Sequence, residues 1–145
     1  LSFSSSESSP SVTSFVFDDN TEYGWVTASN PARGLLVGYI WKTAEYPWLN
    51  IWRNTQNGSP SARGLEFGTT GLHKPFAEIF EKHTIFDHRL CEYIDAGQQI
   101  KKSYIAFLAE IPPDYHGVAR IEHSPGVVVI HERDREKARA LTIMY

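Results

Sequence analysis

Glu66 stands in the stretch Arg63-Gly64-Leu65-Glu66-Phe67-Gly68-Thr69-Thr70, with a glycine two residues away on either side. Side chains of a strand alternate between its faces. Leu65, Phe67 and Thr69 would therefore point one way, and Gly64, Glu66, Gly68 and Thr70 the other. The apolar pair belongs against a core. Glycine weakens a strand interior and often marks close approach of a ligand or another backbone. A carboxylate in cleared space on a stiff strand is a candidate general base or hydrogen-bond acceptor. The same pattern also fits a solvent-facing Glu whose glycines serve a bulge or bend.

A second set lies just upstream. In Trp48-Leu49-Asn50-Ile51-Trp52-Arg53-Asn54 the faces split, with Trp48, Asn50 and Trp52 apart from Leu49 and Ile51. Flat aromatic surface beside an amide suits a sugar, which stacks on the one and hydrogen-bonds to the other. Cross-strand aromatic packing gives the same alternation. Other chemistries find little support. The six histidines share no close ligand spacing and Cys91 is alone, so no metal site is expected. No Gly-rich phosphate loop opens a helix and no G-x-S-x-G precedes one. No cofactor is expected either.

These residues must be positioned by a β framework. Val12 to Asp19, Tyr23 to Ser29, Leu35 to Thr43, Trp48 to Asn54 and the Glu66 stretch all read as strands, separated by turn signals such as Asn30-Pro31-Ala32-Arg33-Gly34. Leu35 to Thr43 is apolar on both faces, which predicts a central strand. Pro75 and the spacing of Phe76, Ile79, Phe80 and His83 predict one short helix over 75–83, its stripe packed on the core. Arg89 to Ile94, Ile100 to Ile111, Val118 to Glu122, Gly126 to His131 and Ala140 to Tyr145 read as further strands. Asp134 to Arg139 reads as a solvated hairpin end. The fold class is all-β, an antiparallel β-sandwich with one short helix. Residues 1–10, rich in Ser, read as a polar linker or a truncated start, and 11–145 as the sandwich domain.

Composition narrows the function classes. Of 145 residues, 41% are hydrophobic and 21% charged, which excludes a disordered chain. The formal charge of −3 comes without a basic patch, so nothing points to nucleic acid. No apolar run approaches membrane-spanning length. Aromatics at 13% are plentiful enough both to line a sugar site and to fill a β core. One cysteine leaves the compartment open.

The succession Tyr39-Ile40-Trp41-Lys42-Thr43, Pro47-Trp48-Leu49-Asn50-Ile51-Trp52, Gly64-Leu65-Glu66 and Ala96-Gly97-Gln98-Gln99 before a strand with Tyr104 resembles the C-terminal half of the galactose-mutarotase-like (aldose 1-epimerase) superfamily. The similarity spans roughly residues 23–110. It implies that the sandwich is part of a supersandwich, the C-terminal portion of a larger domain. It also implies that Glu66 is the catalytic glutamate, which removes the anomeric proton while a histidine protonates the ring oxygen. That histidine belongs to the family's N-terminal half and has no counterpart here. Phe67-Gly68-Thr69-Thr70, Ala96 and Gln98 depart from the family pattern.

Two classes of function follow. One is an aldose 1-epimerase-like isomerase with Glu66 as base and Trp48, Asn50, Trp52, Thr70 and His73 binding substrate. The other is a β-sandwich that holds a sugar without turning it over, or a structural β-domain. The expected partners are a sugar or sugar derivative, and the chain's own N-terminal half or a second copy.

Overall fold

The computed structural model describes residues 10–57, 59–134 and 136–145. The polar start at 1–9 lies outside the described residues, as do Gly58 and, within the 134–139 run, Arg135. Strands occupy 52% of the structure, and the sheets are antiparallel. The fold is all-β with a single short α-helix, compatible with a sandwich. In chain order the elements are β1 (Ser11–Val16), β2 (Tyr23–Asn30), β3 (Leu35–Lys42), β4 (Trp48–Gln56), β5 (Ser59–Gly68), α1 (Phe76–Lys82), β6 (Thr84–Ile85), β7 (His88–Arg89), β8 (Tyr104–Glu110), β9 (Val118–Ser124), β10 (Val127–Glu132) and β11 (Ala140–Met144). No helix among the described residues is long and apolar enough to cross a membrane.

Among the described residues two compact units form, one from 10–24 and 41–103, the other from 25–40 and 104–145. The first is built on the sheet β1-β4-β5 and the small hairpin β6-β7. Its core starts from the period-2 pattern: Leu49 and Ile51 are buried, and Phe67 stacks on buried Trp41 with ring centroids 4.4 Å apart. Phe17 meets Trp41 edge-on at 5.7 Å and Tyr46 meets Phe67 edge-on at 5.3 Å. Such offset and edge contacts suit the quadrupoles of the rings.

The second unit holds the sheets β2-β3-β8 and β9-β10-β11. β3 is the middle strand of its sheet, as its two apolar faces predict, and Leu36, Ile40 and Phe107 are buried there. Val128 and Ile130 of β10 are fully buried.

Four expectations need correction. The strand expected at 100–111 spans only Tyr104–Glu110. The strand expected at 89–94 shrinks to His88–Arg89. Leu90 N–H donates to His83 O and Leu90 O accepts from Gly71 N–H, so the ladder is used up locally. The helix stripe is not a core stripe: Ile79 is buried, but Phe76 and Phe80 are 67% and 50% exposed. The segment 134–139 is more than a solvated hairpin end. Arg139 forks onto the Glu132 carboxylate at 2.5 and 2.9 Å and reaches Asp114 Oδ1 at 2.9 Å. Lys137 Nζ holds the other Asp114 oxygen at 2.6 Å, and the His116 amide donates to Glu132 Oε1 at 2.9 Å. The Glu132 side chain has no solvent exposure.

Hydrogen bonds from Lys137 and then Arg139 pull Asp114 down to about 2, and the Arg139 fork lowers Glu132 as well. Both carboxylates are more acidic folded than unfolded. Their contribution is present at neutral pH and is lost as pH falls from the ordinary carboxylate range towards about 2. Urea denaturation should show the midpoint of the second unit dropping across that window. Arg139→Met should lower the midpoint at pH 7 and flatten its acid dependence.

Candidate functional site

Register decides which side chains meet on the β1-β4-β5 sheet. Asn50 pairs with Glu66 of β5 on one side and with Ser14 of β1 on the other. Trp52 stands opposite Gly64 and Val12, and Trp48 opposite Gly68 and Val16. Directly opposed residues share a face. One face therefore carries Val12, Ser14, Val16, Trp48, Asn50, Trp52, Gly64, Glu66 and Gly68. Phe15, Leu49, Ile51, Leu65 and Phe67 take the other, which bears the buried residues around Trp41.

The Glu66 face differs along its length. At one end Trp48 is 2% exposed and packs with buried Ile79 and Leu90, and with Val16, Leu72, Ile85 and Cys91 around them. Its indole N–H donates to Arg89 O at 2.7 Å. A Cβ on Gly71 would lie 2.2 Å from the ring, so only glycine lets the chain pass so close beneath it. Trp48 was expected to face a sugar; it is a packing residue instead, because α1 and the β6-β7 hairpin close over it.

Asn50 is also engaged. Its Oδ1 accepts from Ser14 Oγ at 2.6 Å and its Nδ2 donates to Thr70 O at 3.1 Å. The amide ties β1 and the exit of β5 to the central strand. Thr70 is exposed and gives its carbonyl to this tie. His73 is exposed in the bend that follows.

The other end is open. Glu66 is exposed, and its carboxylate makes no hydrogen bond or ion pair among the described residues. Trp52 is half-buried. A Cβ built on Gly64 would lie 3.0 Å from Glu66 Oε1 and 3.5 Å from Trp52 Cε3. Carboxylate and indole thus converge on Gly64, whose lack of a Cβ lets both lie close over the strand. A polyol could lay an apolar face on the indole while a hydroxyl donates to the carboxylate. Among the described residues no three His, Cys, Asp or Glu side chains are grouped to hold a metal ion.

The features that sequence reasoning missed are Ser14, Gly71 and the Arg89 carbonyl. They fix Asn50 and Trp48 from positions 36, 23 and 41 residues away, and no local pattern marks them. Comparisons with protein-family models, curated proteins and solved structures gave no match.

Gly71→Ala forces its methyl into the Trp48 ring. It should destabilise the first unit by about 1–3 kcal/mol, as overpacking does. The check is chemical denaturation followed by tryptophan fluorescence, with near-ultraviolet circular dichroism reporting displacement of the indole.

Proposed function

We propose that this chain is a carbohydrate-binding β protein of the aldose 1-epimerase type, with its sugar site at the open end of the β1-β4-β5 sheet. The observation that supports it is the exposed Glu66 carboxylate and the half-exposed Trp52 indole, which converge over Gly64. Trp52 offers its ring to the apolar side of a pyranose. Thr70 and His73 are exposed but follow the Trp48–Gly68 pair at the closed end of the sheet, so the patch rests on Trp52 and Glu66.

In this reading Glu66 takes the proton of the anomeric hydroxyl. The C1–O1 bond becomes a carbonyl, the bond from C1 to the ring oxygen breaks, and the ring oxygen takes a proton from an acid. Rotation about C1–C2 and the reverse steps return the other anomer. Glu66 is suited to the first step because its carboxylate is exposed, within reach of a sugar hydroxyl. The resemblance assigns the acid to a histidine that has no counterpart at a matching position in this sequence.

One observation favours the non-catalytic reading as the alternative. Trp48 and Asn50, two of the five side chains expected on the sugar, are committed to packing and to the Ser14–Thr70 tie. That leaves a smaller patch, enough to hold a sugar.

Polarimetry on freshly dissolved aldoses, beside calorimetric binding, separates the two. Glu66→Gln should lower the catalysed rate on the order of 100-fold with no change in unfolding midpoint. Trp52→Ala should weaken binding on the order of tenfold. Binding without rate enhancement would select the non-catalytic reading. Catalysis indifferent to Glu66→Gln would remove Glu66 as the base.

A further inference from the structure

The β6-β7 hairpin turns through Phe86 and Asp87, both with positive φ (51° and 62°). That is the geometry of a two-residue turn favouring Asn and Gly. A phenylalanine is out of place there, and its ring is 77% exposed. Strain of this kind is kept where the surroundings or a function require it. At the base of the same hairpin lies an open cavity of about 190 Å³ lined by His83, Thr84, Arg89, Cys91 and Tyr93, with walls mostly of carbon and sulfur. A cavity of roughly 150 Å³ with apolar walls is enough to take a benzene ring. The hairpin therefore carries a ring at its tip and a hole of matching size at its base.

We infer that the chain self-associates through this hairpin, the Phe86 ring of one copy entering the cavity of a second copy. The reading is independent of the sugar site. A two-fold arrangement makes knob and hole self-complementary, as a closed dimer interface requires. The charges agree. Asp87 beside the knob and Arg89 beside the hole are both exposed, and neither has an ion pair among the described residues. Two-fold crossing of the hairpins brings each to the other across the interface.

The surroundings supply area. Phe76 and Phe80 are in ring contact, and Phe80 also touches His83 and Tyr93, both on the cavity wall. Phe76, Phe80, Phe86 and Tyr93 are each half or more exposed. At aromatic sizes they offer on the order of 500 Å². A standard interface buries roughly 800 Å² a side, so this patch is the larger part of one.

Sedimentation velocity over a micromolar to near-millimolar series gives the association, and the rate of Cys91 alkylation by a maleimide reports cavity access. The expected result is a monomer–dimer equilibrium in which Cys91 is protected as the dimer forms. Phe86→Ser should raise the dissociation constant about tenfold or more, and Arg89→Glu should raise it while Arg89→Lys keeps it. Trp48 fluorescence verifies that each variant is folded. Benzene added to the unaltered chain should occupy the cavity and dissociate the dimer, a test that needs no variant. A chain monomeric throughout the series, a dimer indifferent to Phe86→Ser, or a dimer that persists with benzene bound would overturn the inference.

Discussion

The pairing of Asn50 with Glu66 is the constraint on which the candidate site rests. A slip of one residue in β5 would turn Glu66 towards the buried face and Phe67 out to solvent. Both changes are costly. Removing the half-buried Phe67 ring from its stack on Trp41 forfeits part of the roughly 1.5–3 kcal/mol that full burial gives, and burying an unpaired carboxylate costs several kcal/mol more. The Asn50 amide, bonded to Ser14 on one side and Thr70 on the other, holds the same register through polar contacts. Apolar and polar terms therefore agree on where Glu66 points.

The same strand face serves two purposes. Trp48 and Trp52 sit four residues apart on β4, about 13 Å along a strand. Residues 71–91 fold back over Trp48, and its indole N–H is satisfied by Arg89 O. Among the described residues nothing comparable buries Trp52, which stays half-exposed beside Gly64. One tryptophan is locked into the platform and the other keeps part of its surface exposed. Stiffness at the closed end favours the open end, since a carboxylate on an ordered strand loses little freedom when it binds.

Much of the sheet was legible from period-2 alternation. It gave the two faces of β4 and β5 and the central place of β3. It could not separate Trp48 from Trp52, because they occupy equivalent positions in the pattern and differ only in what a later segment covers. The strand expected at 89–94 failed for a related reason. Leu90 is apolar and buried, but its backbone groups are taken by His83 and Gly71 rather than by a long ladder. Charges misled in the opposite sense. The 134–139 run looks solvated until Glu132 and Asp114 are brought to Arg139, a pairing that only the fold creates.

The central claim is that a sugar meets the chain at Trp52, Gly64 and Glu66. Two-dimensional ¹H–¹⁵N NMR during titration with an aldose tests it most directly, because the two tryptophans act as internal probe and control. The account predicts saturable shifts of the Trp52 indole N–H and of the Gly64 and Glu66 amides, with the Trp48 indole N–H still on its Arg89 acceptor and unmoved. Shifts confined to other residues, or none at saturating sugar, would contradict it.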